Sequence, residues 1–200
     1  MKLKELALVK HAPVIKSGLV LARKAATLPS DLVKQYPLLL ARTISDAGKV
    51  TGKDVFDSKE ILEEEYLTQY GDVLLKISAP NVAVYIAKEN TGRVISSYFC
   101  VIRNLSPEIL PEYLAVYLNS FHAKMQLQKD YIGTTIQTLK TSALLEIDIP
   151  LLPIEEQKIM IELSSLKQRE IELLRKLADA KEGYYNKIVS KKFRRMNHGK

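Results

Sequence analysis

From residue 159 onward, apolar side chains recur at alternating four- and three-residue steps: Ile159, Leu163, Leu166, Leu173, Leu177, Ala180 and Tyr184, with Glu170 the one polar interruption. That period is the heptad of a helix that packs along a seam. The stretch before it, IDIPLLPIEEQ, supplies a start. Pro153 suits the first turn of a helix, and Glu155 and Glu156 place negative charge at its positive end. The opposite face, with Lys158, Glu162, Lys167, Glu172 and Lys176, is charged. An isolated helix gains little from propensity, so such a seam needs cover. The preceding domain or a partner helix could provide it. No other segment of similar length exists in the chain, which favours a partner helix. The expected organisation is a domain over residues 1–152, a long helix over 153–190 and a basic tail over 191–200.

The first 150 residues mix periods. LLLARTI (38–44), DVLLKI (72–77), VAVYIA (82–87) and RVISSYFCVI (93–102) read as strands, and residues 5–15 carry strand-like content. Gly48, Gly52, Gly71, Pro80-Asn81 and Asn90-Thr91-Gly92 punctuate them as turns. From Pro107 to Gln128 the pattern becomes helical, with Leu114, Leu118, Phe121 and Met125 at three- and four-residue steps. A short segment, Ile136–Ser142, follows, and LLEIDIP returns to strand. The fold class is α+β: a mixed, strand-rich domain followed by a long C-terminal coiled-coil helix.

Charge is uneven. Of the thirty Lys and Arg residues, twelve fall in 151–200 against seven acids, leaving eighteen against sixteen in the first 150. A basic balance favours nucleic acid as a partner without proving it. The single cysteine, Cys100, allows no internal disulfide and points to a reducing compartment. No run approaches the ~20 apolar residues of a membrane span, so a soluble, cytoplasmic protein without a membrane partner is expected.

Catalytic patterns do not emerge. His11, His122 and His198 are scattered, and no cysteine pair marks a metal site. GKVTGK (48–53) has three residues between its glycines and Asp54 where a magnesium-binding Ser or Thr belongs, so it reads as a turn. Glu156-Gln157-Lys158 has a nuclease-like spacing but opens a helix. No glycine-rich loop suggests an S-adenosylmethionine pocket. The chain is expected not to be an enzyme and to hold no cofactor.

The order of segments resembles the target-recognition half of a type I restriction–modification DNA specificity subunit. YGDVLLKISAPN (70–81) resembles the family's Gly-Asp-led strand. RVISSYFCVIRN (93–104) and PEYLAVYLNS (111–120) resemble its central strand and following helix. IGTTIQTLKTSALLEIDIPLLPIEEQ (132–157) resembles its most specific block, with Leu152 where the family often has a first proline. Family members usually hold two such domains, each followed by a long helix. The resemblance therefore implies a half-size, non-catalytic subunit that pairs with a second copy and reads a split, palindromic site. It also implies partners: duplex DNA, a modification methyltransferase subunit and a restriction subunit, which would carry S-adenosylmethionine, ATP and Mg.

On that reading, DNA contacts are expected from Arg42, Lys76, Ser78, Asn81, Arg93, Thr134, Thr135, Gln137 and Lys140, drawn from a wider pool that includes Lys16, Lys24, Lys49 and Lys53. The loop 133–140 and the strand ends at Arg42 and Lys76 are the strongest candidates, since phosphate contacts supply affinity and base-edge contacts supply specificity. Dimerisation is assigned to Ile159, Leu163, Leu166, Leu173, Leu177, Ala180 and Tyr184. The competing reading is a module that binds no DNA and uses its helix to dock a protein, such as an antirestriction decoy of the modification subunit.

Overall fold

The computed structural model describes residues 1–6, 15–45, 48–52, 54–129, 131–132 and 138–197. It divides into two compact units, Met1–Ile161 and Glu162–Lys200. Among the described residues, the first unit is α+β, as the mixed periods require.

Its centre is a four-stranded antiparallel sheet in the order β1 (Ile15–Ser17), β7 (Phe99–Ile102), β4 (Val73–Lys76), β5 (Ala83–Tyr85). Its inner strands, β7 and β4, are buried on both faces. Val73, Leu75, Ala83, Cys100 and Ile102 enter the larger core with α1 (Pro111–Leu118), α2 (Phe121–Gln128) and α3 (Thr141–Leu145). Leu74, Val84, Phe99 and Val101 point to the opposite core with Leu39, Ile86 and Ile95. Side chains alternate faces along a strand, so a strand buried on both sides reads as an unbroken apolar run.

A second sheet runs β3 (Val55–Ser58), β2 (Lys34–Leu39), β6 (Val94–Ile95). β2 changes partners along its length. Lys34 to Pro37 pair antiparallel with β3, then Leu38 and Leu39 pair parallel with β6. A two-residue ribbon joins β8 (Tyr131–Ile132) to β9 (Thr138–Leu139).

Several sequence expectations are corrected. RVISSYFCVI is two strands in different sheets, separated by a turn at Ser96–Tyr98 in which the Phe99 amide donates to the Ser96 carbonyl (3.0 Å). LLLARTI contributes only Leu38 and Leu39 to a strand that begins at Lys34, and Ala41–Thr43 is a 3-10 turn in which the Thr43 hydroxyl donates to the Leu40 carbonyl (2.8 Å). Of residues 5–15, Leu3–Leu6 form a 3-10 helix reaching into this span, only Ile15 begins a strand, and 7–14 lie outside the described residues. The helical run from Pro107 is two helices. Ser120 caps α2, its hydroxyl accepting from the Ala123 amide (3.2 Å), a bond that competes with helix continuation. Just before the break, Asn119 turns to β5: its Oδ1 accepts from the Ala83 amide (2.9 Å) and its Nδ2 donates to the Ala83 carbonyl (2.8 Å). This side chain supplies the sheet edge with the bonds a further strand would make.

LLEIDIP is not a sheet strand either. Thr141–Leu145 is helical, and residues 147–152 form an extended strap held by side chains along one edge and by the backbone of residues 1–3 along the other. The Tyr113 hydroxyl donates to the Pro150 carbonyl (2.7 Å), and Tyr117 donates to the Asp148 carbonyl. Gln126 accepts from the Asp148 amide (3.0 Å) and donates to the Tyr117 hydroxyl (2.9 Å). Along the other edge, Lys2 bridges Asp148, the Leu3 amide donates to the Ile147 carbonyl (3.2 Å), and Leu3 and Leu6 enter the core. At the strap's end lies Gln157, fully buried. Its Oε1 accepts from the Leu110 amide, and its Nε2 donates to the Glu108 and Leu152 carbonyls, each at 2.8 Å.

The Gly-Asp pair opening β4 is structural too. Gly71 has φ +85, a conformation side chains resist. Asp72 is buried and takes a two-pronged contact from Arg103: Nε to Oδ1 at 2.8 Å and a terminal nitrogen to Oδ2 at 2.7 Å. That pair ties the start of β4 to the end of β7.

α4 spans Ile154–Asn197, 44 residues, or about 66 Å of helix at ~1.5 Å per residue. It continues to Asn197, into the span 191–200 expected as a basic tail, of which 198–200 lie outside the described residues. Lys and Arg are good helix formers and suit the negative end of the helix dipole. In its first turns Gln157 and Ile161 face the core while Ile159 is exposed. At 100° per residue, Ile159 lies opposite those two, and the heptad steps keep Leu163 and its successors on the side of Ile159. Ile159, Leu163, Leu166, Leu173, Leu177 and Tyr184 are each between 51% and 64% exposed. The apolar surface continues past the expected seam through Tyr185, Ile188, Val189 and Phe193.

Candidate nucleic-acid interface

A small hairpin links two groups of the basic residues. The Thr51 amide donates to the Thr43 carbonyl (2.8 Å), Ile44 bridges Val50, and the Ser45 amide donates to the Lys49 carbonyl (2.9 Å). Its turn carries Gly48 at φ +73, where an added Cβ would stand 2.6 Å from the Ala83 carbonyl oxygen. Only glycine fits there on both counts. The turn therefore lies against the start of β5. At the other end, Arg93 donates to the Gly52 carbonyl (3.2 Å) and Arg42 pairs with Asp54. Three residues of ladder separate the two ends, about 10 Å.

Arg42 is exposed, with Asp54 as a buttress. A carboxylate on one edge of a guanidinium fixes its plane and leaves other N–H groups free to donate, the geometry suited to a guanine edge or a phosphate. Arg93 is half-buried and partly committed to Gly52. Gln35, Tyr36, Pro37, Asp54, Val55 and Arg93 line a shallow cleft of about 370 Å³ where β2 changes partners.

The second group gathers around the β4–β5 connection. Lys76 ends β4 half-buried, its amide donating to the Val82 carbonyl (2.9 Å). Ser78 bridges Thr138, and the Leu139 amide donates to the Ile77 carbonyl (2.9 Å). Lys140 follows directly as the exposed residue before α3. Residues some sixty positions apart in sequence thus meet at one edge. Asn81 departs from the expectation: it is 1% exposed, and its amide donates to the Lys76 carbonyl (2.8 Å). It shapes the connection and presents no surface to a ligand. Thr134, Thr135, Gln137 and Lys53 lie outside the described residues.

Two of the wider pool are committed to ion pairs. Lys16 contacts Glu65 at 2.6 Å and holds that carboxylate below its usual range, and Lys24 pairs with Glu60, which raises the ammonium's value. The sequence reading missed Asp54 as the partner of Arg42 and the glycine requirement that seats the 45–49 turn on β5. Neither is visible locally, because each depends on a residue brought in by the fold.

The family model described as the type I restriction modification DNA specificity domain matches residues 33–180. The specificity subunit of the type I restriction enzyme MjaVIII from Methanocaldococcus jannaschii is 31% identical across 73% of this chain and 38% of its own length. A solved chain from a study of complex assembly and conformational transition of the type I R-M system superposes with TM-score 0.66 at 20% identity, covering 90% of this chain and 44% of that one. The HsdS subunit from Thermoanaerobacter tengcongensis gives TM-score 0.63 at 21% identity, with the same coverage of 90% and 44%. At that identity the likeness establishes the fold. The chain spans less than half the length of each of these relatives.

Proposed function

This chain belongs to the type I restriction modification DNA specificity family, and from that premise we propose that it is a non-catalytic DNA-recognition subunit acting in the cytoplasm. One domain reads one half-site. Arg42, Lys49, Lys76, Ser78, Arg93 and Lys140 face the duplex, and Thr134, Thr135 and Gln137 contribute further contacts. The α4 seam pairs with the same helix of a second copy, and a twofold arrangement sets two identical readers on a split palindrome. A modification methyltransferase subunit and a restriction subunit assemble on this frame and bring S-adenosylmethionine, ATP and Mg.

The observation that carries the reading is the convergence of residues 42–45, 48–52, 76–78 and 138–140 into one hairpin-linked basic strip within a chain of this family. The exposed heptad face of α4 supports the pairing. Leucines that are more than half exposed along several turns represent apolar area worth ~25 cal/mol per Å² once covered.

Co-expression with the methyltransferase subunit from the same system tests the function. The two should co-purify, and the complex should methylate duplexes carrying a split palindrome. Failure to bind any duplex or any methyltransferase sinks the proposal. Sedimentation tests the pairing: the 22.6 kDa chain should travel as a dimer, and Leu166→Lys with Leu173→Lys should return it to monomer. A wild-type chain that is monomeric at high concentration removes the twofold frame.

A further inference from the structure

Tyr98 sits at the tip of the β6–β7 turn and is 57% exposed. Its backbone is fixed from several directions. The Ile77 amide donates to the Tyr98 carbonyl (3.0 Å), and the Ser97 amide donates to the Leu19 carbonyl (2.8 Å). Gly18 lies so close beneath that a Cβ there would stand 2.3 Å from the Ser96 carbonyl oxygen. The turn is clamped between residues 17–19 and the Lys76–Ser78 segment, and Phe99 is the register partner of Lys76. Tyr98 is thus a rigidly placed aromatic beside half of the basic strip.

Other exposed aromatics in this unit differ. Tyr70 packs edge-on against Tyr85 with centroids 6.3 Å apart and lies under the Lys88 ammonium. Phe121 stands at the start of α2, on another element. Among the described residues, the Tyr98 ring has no aromatic or cationic partner and its hydroxyl no hydrogen-bond partner. A clamped ring with an unused hydroxyl, on a turn whose backbone pairs with Ile77 between Lys76 and Ser78, suits a nucleic-acid groove. The ring packs on deoxyribose or a thymine methyl while the hydroxyl donates to a base-edge or phosphate oxygen.

We infer that Tyr98 is a DNA-contacting, specificity-determining residue that enters the groove beside Lys76 and Ser78. The inference rests on the DNA-recognition reading above and adds a contact the sequence does not reveal.

The chain contains no tryptophan, so Tyr98→Trp in the full-length protein introduces a single reporter at this position. The probe is sheared heterogeneous duplex DNA at low ionic strength, with a fluorescein-labelled duplex read in parallel by anisotropy. The indole emission should fall on titration with the same midpoint as the anisotropy. Tyr98→Ala should weaken binding about tenfold, Tyr98→Phe less, and Tyr70→Ala not at all, with unfolding midpoints unchanged for the Tyr98 variants. Anisotropy that rises while the indole stays silent overturns the inference and leaves the DNA reading intact. If neither signal moves, the DNA reading fails and takes the inference with it. An indole that ignores DNA but responds to the purified methyltransferase subunit assigns the turn to a protein interface and likewise overturns the inference.

Discussion

The root of the long helix and the basic strip use the same kinds of side chain to opposite ends. At the root, Gln157 commits its oxygen and both amide protons to backbone groups of three different residues, with no exposed surface. Tyr113, Tyr117 and Gln126 do the same for the strap before it. Along the strip, Arg42, Lys49 and Lys140 are exposed, and Arg42 is held by one carboxylate that leaves other donors outward. A long polar side chain is structural when its partners are backbone groups with no water to replace it. It is available to a ligand when its bonds orient it without exhausting it.

The largest effect that could break this contrast is Gln157→Ala. It would orphan the Leu110 amide and the Glu108 and Leu152 carbonyls in a dry site, at about 2–4 kcal/mol. Urea unfolding should show the midpoint fall accordingly. A loss under 0.5 kcal/mol would mean that water fills the site and the root is not the rigid anchor its geometry implies.

Arg42→Ala and Lys140→Ala sharpen the other side. Each should leave unfolding stability within about 0.5 kcal/mol, as exposed surface positions do. Each should also weaken duplex binding. A phosphate contact lowers the salt slope by about one, whereas a base contact costs ~1–3 kcal/mol at one position of the site. A stability loss with unchanged DNA affinity would move these residues to the structural class.

The smallest effect is Lys2→Met. Lys2 holds Asp148 below its ordinary value of 3.8, and Asp148 in turn raises Lys2 above 10.5. The depressed carboxylate contributes stability above pH ~4 that is lost as pH falls through its folded value. The raised ammonium contributes below pH ~10.5 and loses it as pH rises further. The stability difference between wild type and variant should therefore be flat from about pH 5 to 9 and close at both ends. Asp148 is exposed and Lys2 partly so, and screening keeps it small. A difference that grows toward acid would assign the pairing to other groups.

Some of this architecture is written locally. The heptad of α4, the apolar runs of β4 and β5, and the glycines of the 48 and 71 turns depend on residues a few positions apart, and there the sequence and the structure agree. The family blocks are also legible, although their physical roles are not: Asp72 reads as a motif letter until Arg103 arrives from the next strand. Of the interface, the residue types were readable but not their company. Nothing near Asn81 signals that its amide closes a turn, and nothing near Tyr98 signals that its turn is clamped against residues 17–19.

What tertiary structure alone decided is which strand joins which sheet, where the helical run breaks, and that IDIPLL is a strap rather than a strand. β2 exchanges β3 for β6 at Pro37, and RVISSYFCVI divides between sheets, because edge pairing is chosen among distant segments competing for the same backbone donors and acceptors. The sequence determined that a long helix with one greasy side leaves an α+β body. The fold determined which polar residues that body consumes in holding itself together and which it leaves exposed, since burial removes water as an alternative partner and only the assembled chain sets burial.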